Sequence, residues 1–114
     1  LETSGVENIS GSLNWITLSP KRHAYPKQEV LKECNEIKII IHEKEDLIFA
    51  EEMANLSINA KDRANEQGSH YSHPHLFLQP RWKSKRGMNL TIEHIKSHPK
   101  WRLSLQVHKW LGVP

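Results

Sequence analysis

One cysteine, Cys34, stands in 114 residues. That count excludes a disulfide framework, a CxxC site and an iron–sulfur cluster ligated by this chain alone. Apolar runs never exceed a few residues, which excludes a membrane-spanning helix, and the acidic start at Glu2 lacks the basic and apolar parts of a secretory signal. GxSxG, the P-loop and GxGxxG are all missing, so the usual serine-hydrolase and nucleotide fingerprints are gone. A strong charge excess is missing too: 16 Lys and Arg against 13 Asp and Glu give +3. Nucleic-acid binders usually carry a denser basic stripe. The one local concentration, Arg81, Lys83, Lys85 and Arg86 around Trp82, reads as a solvated loop. Without a secretory signal, the Asn-x-Ser/Thr triplets at Asn8, Asn55 and Asn89 carry no glycosylation meaning. The chain also lacks an initiating Met and opens at Leu1 in a strand-like stretch, the expectation being a piece of a longer protein.

What is present is a small soluble domain, 37% hydrophobic and 25% charged. After the opening strand-like stretch, Trp15 to Leu18 is apolar and β-prone, and Pro20 ends it. Gln28 to Cys34 reads as a short helix after Pro26. Glu36 to Ile41 contains three consecutive isoleucines, stiff at χ1, and predicts a strand buried on both faces. From Asp46 the period becomes helical, with Leu47, Ala50 and Ala54 in one row, Phe49, Met53 and Leu56 in another, and Glu51 and Glu52 facing away. Asn65 to His75 reads as a loop, Leu76 to Leu78 as a buried strand stopped by Pro80, and Arg81 to Gly87 as a second loop. Asn89 is the expected cap of a helix to Ser97, and Trp101 to Val107 alternates with period two as a half-buried strand.

Strands thus alternate with helices, the order of βα units around a parallel sheet. Helices on one face only would make a barrel or partial barrel, and helices on both faces a doubly wound sheet; the pattern does not choose. In either case functional groups gather at the carboxyl ends of the strands, here around Thr3, Ser19 to Lys21, Gln79 to Trp82, and His108 onward.

Among chemical constellations, His70, His73 and His75 have the look of a metal cluster. They sit in a Ser/Gly/Pro-rich loop with only Glu66 as a nearby carboxylate, and read as polar loop residues. Cys34, between Glu33 and Glu36, has neighbours that raise a thiol pKa, and reads as packing. The remaining features are short motifs at strand ends: LETSG, LSPK, LQPRW and WRLSLQVH, the last continuing to KWLGVP. Each pairs hydrogen-bonding side chains with a turn former. Singly, each could be explained by side chains capping their own strands. Four in register along βα units are harder to explain that way.

Those motifs, with HPKWRLSLQVHKWLGVP, FLQPRW, LETSG, WITLSPK and NEIKIII in this order, resemble the C-terminal portion of the 7-carboxy-7-deazaguanine synthase family of radical S-adenosylmethionine enzymes. The resemblance covers nearly the whole chain apart from the histidine-bearing loop near Gly68. It implies an α/β fold that is the C-terminal part of a partial (β/α) barrel, residues 1–114 being one portion of a single domain. It further implies conversion of 6-carboxy-5,6,7,8-tetrahydropterin to 7-carboxy-7-deazaguanine with loss of ammonia, by a lyase using S-adenosylmethionine, a 4Fe-4S cluster and Mg2+. Position by position, it places Thr3, His108 and the carboxylate of Pro114 at the pterin. Along S-adenosylmethionine it places Gly5, Ser19, Pro20, Lys21, Gln79, Pro80, Arg81 and Trp82.

The family's three-cysteine motif and the neighbouring threonine that helps hold magnesium have no counterpart here. The chain is therefore expected to carry no metal ligands and no catalytic residue, and to be inactive alone. The expected setting is a cytoplasmic homodimer acting on a free pterin, with neither nucleic acid nor membrane as partner. A truncated relative that only binds ligand or protein is the alternative. A small RNA-binding module on the Arg81 to Arg86 loop is a third reading, which salt-dependent tRNA binding would revive.

Overall fold

The computed structural model describes residues 1–8 and 15–106. Five strands, β1 (Glu2–Thr3), β2 (Thr17–Leu18), β3 (Glu36–Ile41), β4 (His75–Pro80) and β5 (Trp101–Leu103), form one sheet in the order β1-β2-β3-β4-β5. Every neighbouring pair is parallel. Three helices make the crossovers from β2 onward: α1 (Gln28–Glu33), α2 (Lys44–Glu66) and α3 (Lys85–Ser97).

A sequential parallel order decides what the hydrophobic pattern left open. Right-handed connections between successive neighbours all pass over the same face of the sheet. Accordingly one core joins Leu18, Ile37, Ile39, Ile41, Leu76, Leu78 and Trp101 from the strands to Val30 and Leu31 of α1 and to Phe49, Ala50, Met53 and Ala54 of α2. Leu90 and Ile95 of α3 pack against the same cluster. The helices cover one face, as in a partial barrel, and no described helix covers the other.

This one-sided cover corrects the reading of β3. Its burial alternates: Ile37, Ile39 and Ile41 are at most 2% exposed, but Ile40 is 47% exposed on the bare face. Each fully buried isoleucine contributes roughly 2–3 kcal/mol of transfer free energy, and Ile40 contributes little within this chain. The pattern Glu-Ile-Lys-Ile at the start of β3 was the period-two signal, outweighed in the reading by the isoleucine run that follows.

Helix α3 begins four residues before Asn89. Ser84 is its N-cap, with its hydroxyl accepting a hydrogen bond from the Gly87 amide at 2.8 Å. The early start depends on Gly87, because a Cβ there would lie 2.2 Å from the carbonyl oxygen of Ile41. Arg81, Lys83, Lys85 and Arg86 are all exposed, the last two in the first turn of α3. Two elements are shorter than the sequence pattern: β2 holds only Thr17 and Leu18, and β5 ends at Leu103, with Leu103 and Leu105 about 40% exposed.

Two further expectations change. Glu51 does not face away from the core: its carboxylate turns into the junction of α2, α3 and β5, where it meets His94, Lys100 and Trp101. Cys34 is packing, as read, and burial pushes its thiol up; the nearby Lys61 acts the other way, and no acidic neighbour contributes to the rise.

Candidate functional site

Because all five strands run parallel, their carboxyl ends share one edge of the sheet, and the motifs at Thr3, Ser19, Gln79 and Ser104 meet there. Thr3 ends β1. Its hydroxyl accepts a hydrogen bond from the Gly5 amide at 3.0 Å, and its carbonyl accepts one from the Ser19 amide at 2.7 Å. Gly5 is buried at φ +83°, a conformation glycine adopts freely. A Cβ on it would sit 2.5 Å from Pro26 Cβ and 2.8 Å from Leu18 Cδ1. Protein atoms therefore occupy the space a side chain would need there.

Past β2, Ser19 donates its hydroxyl to Glu2 Oε1 at 2.8 Å, Pro20 is buried, and Lys21 is exposed at the mouth of a tight turn closed by the Ala24 amide on the Lys21 carbonyl. Ser19, Pro20 and Lys21 line a cavity of about 170 Å³ together with Arg22, His23, Lys38 and Asp46. Arg22 is tied to Asp46 at 3.1 Å and Glu43 at 3.4 Å, leaving Lys21 and His23 as the cationic and imidazole groups at the rim. Larger grooves of about 440 and 600 Å³ lie between helices, away from the strand ends.

At β4, Gln79 is 5% exposed and its Oε1 accepts the Ser104 hydroxyl at 3.2 Å, so the ends of β4 and β5 are joined. Pro80 is buried and closes the strand. Arg81 is exposed, its amide bonded to the Ile41 carbonyl at 2.8 Å, and Trp82 is half-buried in the same turn. Between these motifs the end of β3 carries His42, whose Nδ1 lies 2.8 Å from Ser84 Oγ and whose amide donates to Asp46.

The structure thus brings Thr3, Gly5 and Ser19 into direct contact. It places Gln79, Pro80, Arg81 and Trp82 two strands further along the same edge. His108 and Pro114 lie outside the described residues.

Sequence reasoning missed the bare face just below this edge. In register there, Glu2, Thr17, Glu36, Lys38, Gln79 and Ser104 point away from the helices. Thr17 donates to Glu36 at 2.8 Å, and Lys38 reaches past β2 to Glu2 at 3.6 Å. Gln106, two positions beyond Ser104, has a buried Oε1 that meets no donor among the described residues. The half-buried reading of Trp101 to Val107 was one trace of this face, and the period of two within β3 was the signal passed over.

His70, His73 and His75 line one cavity of about 330 Å³ with Trp15, Glu33 and Lys61, and there they make ordinary contacts: His73 pairs with Asp62 at 2.8 Å and His75 stacks on Trp15 at 5.9 Å between centroids. No membrane-crossing helix exists among the described residues.

Comparison with known proteins gives a consistent result, although no family model matches the chain. A 7-carboxy-7-deazaguanine synthase of Prochlorococcus marinus is 64% identical over 99% of this chain and 52% of its own length. Those of Flavobacterium psychrophilum and a Synechocystis strain are 39% and 38% identical over 100% and 99% of this chain. The crystal structure of QueE from Escherichia coli matches with a TM-score of 0.62 and 27% identity, over 92% of this chain and 42% of that one. The chain is similar to 7-carboxy-7-deazaguanine synthases over essentially its whole length, and spans about half the length of the relatives it matches.

Proposed function

We propose that this chain is the latter part of a 7-carboxy-7-deazaguanine synthase, supplying strand ends that hold S-adenosylmethionine and the pterin in a partial barrel whose metal centre lies in the rest of the protein. The observation that carries the reading is the gathering of the LETSG, LSPK, LQPRW and WRLS motifs on one edge of a singly wound parallel sheet, the edge where such folds bind ligands.

The residues at that edge fit S-adenosylmethionine in their chemistry. Its carboxylate needs a cation and hydroxyl or amide donors; Lys21 supplies the cation beside the cavity, and the Ser19 hydroxyl would reach the carboxylate by turning from Glu2. The adenine needs an apolar or flat wall, a part that suits the chemistry of Trp82, half-buried at the same edge, with the buried Pro80 beside it. Thr3 and the bare face below it, with Lys38, Gln79 and Gln106, offer polar groups for a pterin. His108 and Pro114 extend this set by the family's pattern.

A 4Fe-4S cluster does not fit this chain: its single thiol, Cys34, is buried in the helix-side core against Ser57, opposite the bare face. Among the described residues magnesium finds no converging oxygen set at the strand ends, where Asp46 is engaged by Arg22 and the Glu43 amide. When bound elsewhere in the enzyme, the cluster would supply the electron that cleaves S-adenosylmethionine. The role of this chain's residues is to bind and orient the two organic ligands and to exclude water from them.

The test is to supply the complete protein, cluster reconstituted, with S-adenosylmethionine, a reductant and 6-carboxy-5,6,7,8-tetrahydropterin. Formation of 7-carboxy-7-deazaguanine, seen by mass spectrometry, is expected. Binding of either ligand without product would favour a binding-only relative.

A further inference from the structure

We propose that Glu51 on α2, His94 on α3 and His98 at the C-cap of α3 form a site for one divalent transition-metal cation of the zinc type, on the helix layer and separate from the strand-end edge. A donor atom from each of the three lies within 4.8 Å of the other two, and all three are half-buried. His98 follows α3 as its C-cap, and its amide donates to the His94 carbonyl at 2.8 Å, which keeps the two residues one turn apart on the same side. The rings stack at 4.0 Å between centroids and 7° between planes, so their in-plane lone pairs run parallel, and one ring must turn about its Cβ–Cγ bond for both to meet one ion. Two imidazoles and one carboxylate are the donor types zinc accepts in three-ligand sites, leaving a position for water.

The surrounding contacts orient these donors. His98 Nδ1 lies 3.1 Å from the His94 carbonyl oxygen and 2.9 Å from the Ser97 hydroxyl, which can donate or accept; in the tautomer that donates Nδ1–H to the carbonyl, Nε2 keeps its lone pair. This is the arrangement that readies a histidine for a metal. Glu51 Oε2 accepts from the indole of buried Trp101 at 2.7 Å, which anchors the carboxylate to β5. The present counter-charge is Lys100, 2.6 Å from Glu51 Oε1 and 43% exposed, so its ammonium can turn into water when a cation arrives. The His94 Nε2 hydrogen now on Glu51, at 2.8 Å, leaves the carboxylate as the ion binds, that proton passing to Nδ1 by way of solvent. Bound there, the ion would clip α2 to α3.

The complete protein carrying this chain, stripped with chelator, is titrated with zinc ion, desalted, and its bound zinc counted by elemental mass spectrometry. The parent should hold one equivalent more than His98→Gln and Glu51→Gln, and zinc should raise the melting temperature of the parent alone. A His70→Gln/His73→Gln double variant should match the parent. Equal zinc in the parent and His98→Gln overturns the proposal, as does the same loss in the His70/His73 variant. His98 is outside the hydrogen bonds and ion pair that hold Glu51, so its variant tests the site even where Glu51→Gln fails to fold.

Discussion

Lys38 in β3 and Glu2 in β1 face each other across β2, with Nζ 3.6 Å from Oε1, and Ser19 shares the same carboxylate oxygen. Three strands are thereby linked on the face that no described helix covers. Both side chains remain partly exposed, 25% for Lys38 and 59% for Glu2. Solvent screening keeps the value of such a pair low. Lys38→Met should cost less than about 1 kcal/mol, and the loss should shrink at high salt. Urea unfolding at two ionic strengths checks this; a loss of several kcal/mol would mean the face is dry in the complete protein.

Gly5 and Gly68 separate two penalties. Both have positive φ, but only Gly5 is crowded by Pro26 and Leu18, whereas nothing lies within 4 Å of a Cβ on Gly68. Gly68→Ala should cost roughly 1 kcal/mol from backbone strain alone. Gly5→Ala should cost about 2–4 kcal/mol, since overpacking adds to the strain. Thermal unfolding of the two variants should rank them in that order.

Ser84 caps α3 and contacts His42, so one hydroxyl joins the end of β3 to the start of the next helix. Ser84→Ala should lower stability by about 1 kcal/mol. Faster exchange of the Gly87 amide would locate the loss at the cap.

Lys61 is 1% exposed, donating to the carbonyls of Lys32 at 2.7 Å and Cys34 at 2.5 Å, with Tyr71 beneath its ammonium. The end of the short α1 therefore depends on a lysine from α2. Lys61→Met keeps the stem but strands two buried acceptors, and should cost roughly 2–3 kcal/mol. Chemical denaturation measures it, and a near-neutral result would mean water replaces the ammonium.

Burial pushes the Glu51 carboxyl up, but hydrogen bonds from Lys100, His94 and Trp101 outweigh it and hold the group at about 2 against an ordinary 4.5. A carboxyl lowered by folding stabilises the fold fully above its unfolded pKa, and that contribution is lost as pH falls through the folded one. In metal-free protein, stability should decline from about pH 4.5 toward pH 2, and Glu51→Gln should flatten that decline. Acid titration of the two proteins, followed by circular dichroism, compares the slopes.

Much of the sheet was legible because local chemistry and tertiary need agreed. Glu36–Ile41 matches β3 residue for residue, and Pro80 closes β4 where proline should. The helix starts were less legible: Ser84 lies inside a polar stretch with no apolar period to mark it, and only the contact of Gly87 with Ile41 makes the early start necessary. The strand-end edge was legible from motif order. Glu51 and its two histidines were not, because they lie 43 and 47 residues apart and meet only when α3 packs on α2. The eye went instead to His70, His73 and His75, close in sequence but directed to different partners.

The sequential strand order also governs how the chain can assemble. Each crossover returns to the strand just laid down, so no strand waits for a distant segment to complete its ladder. The six-residue register between β3 and β4, bridged by α2, is the longest in the sheet, while β1 with β2 and β2 with β3 share two pairs each. Local stability is greatest where contacts are dense. The β3-α2-β4 unit is thus the best protected part of the sheet, although its paired strands are the farthest apart in sequence, and the edge bearing Thr3 and Ser19 is the end that opens most readily.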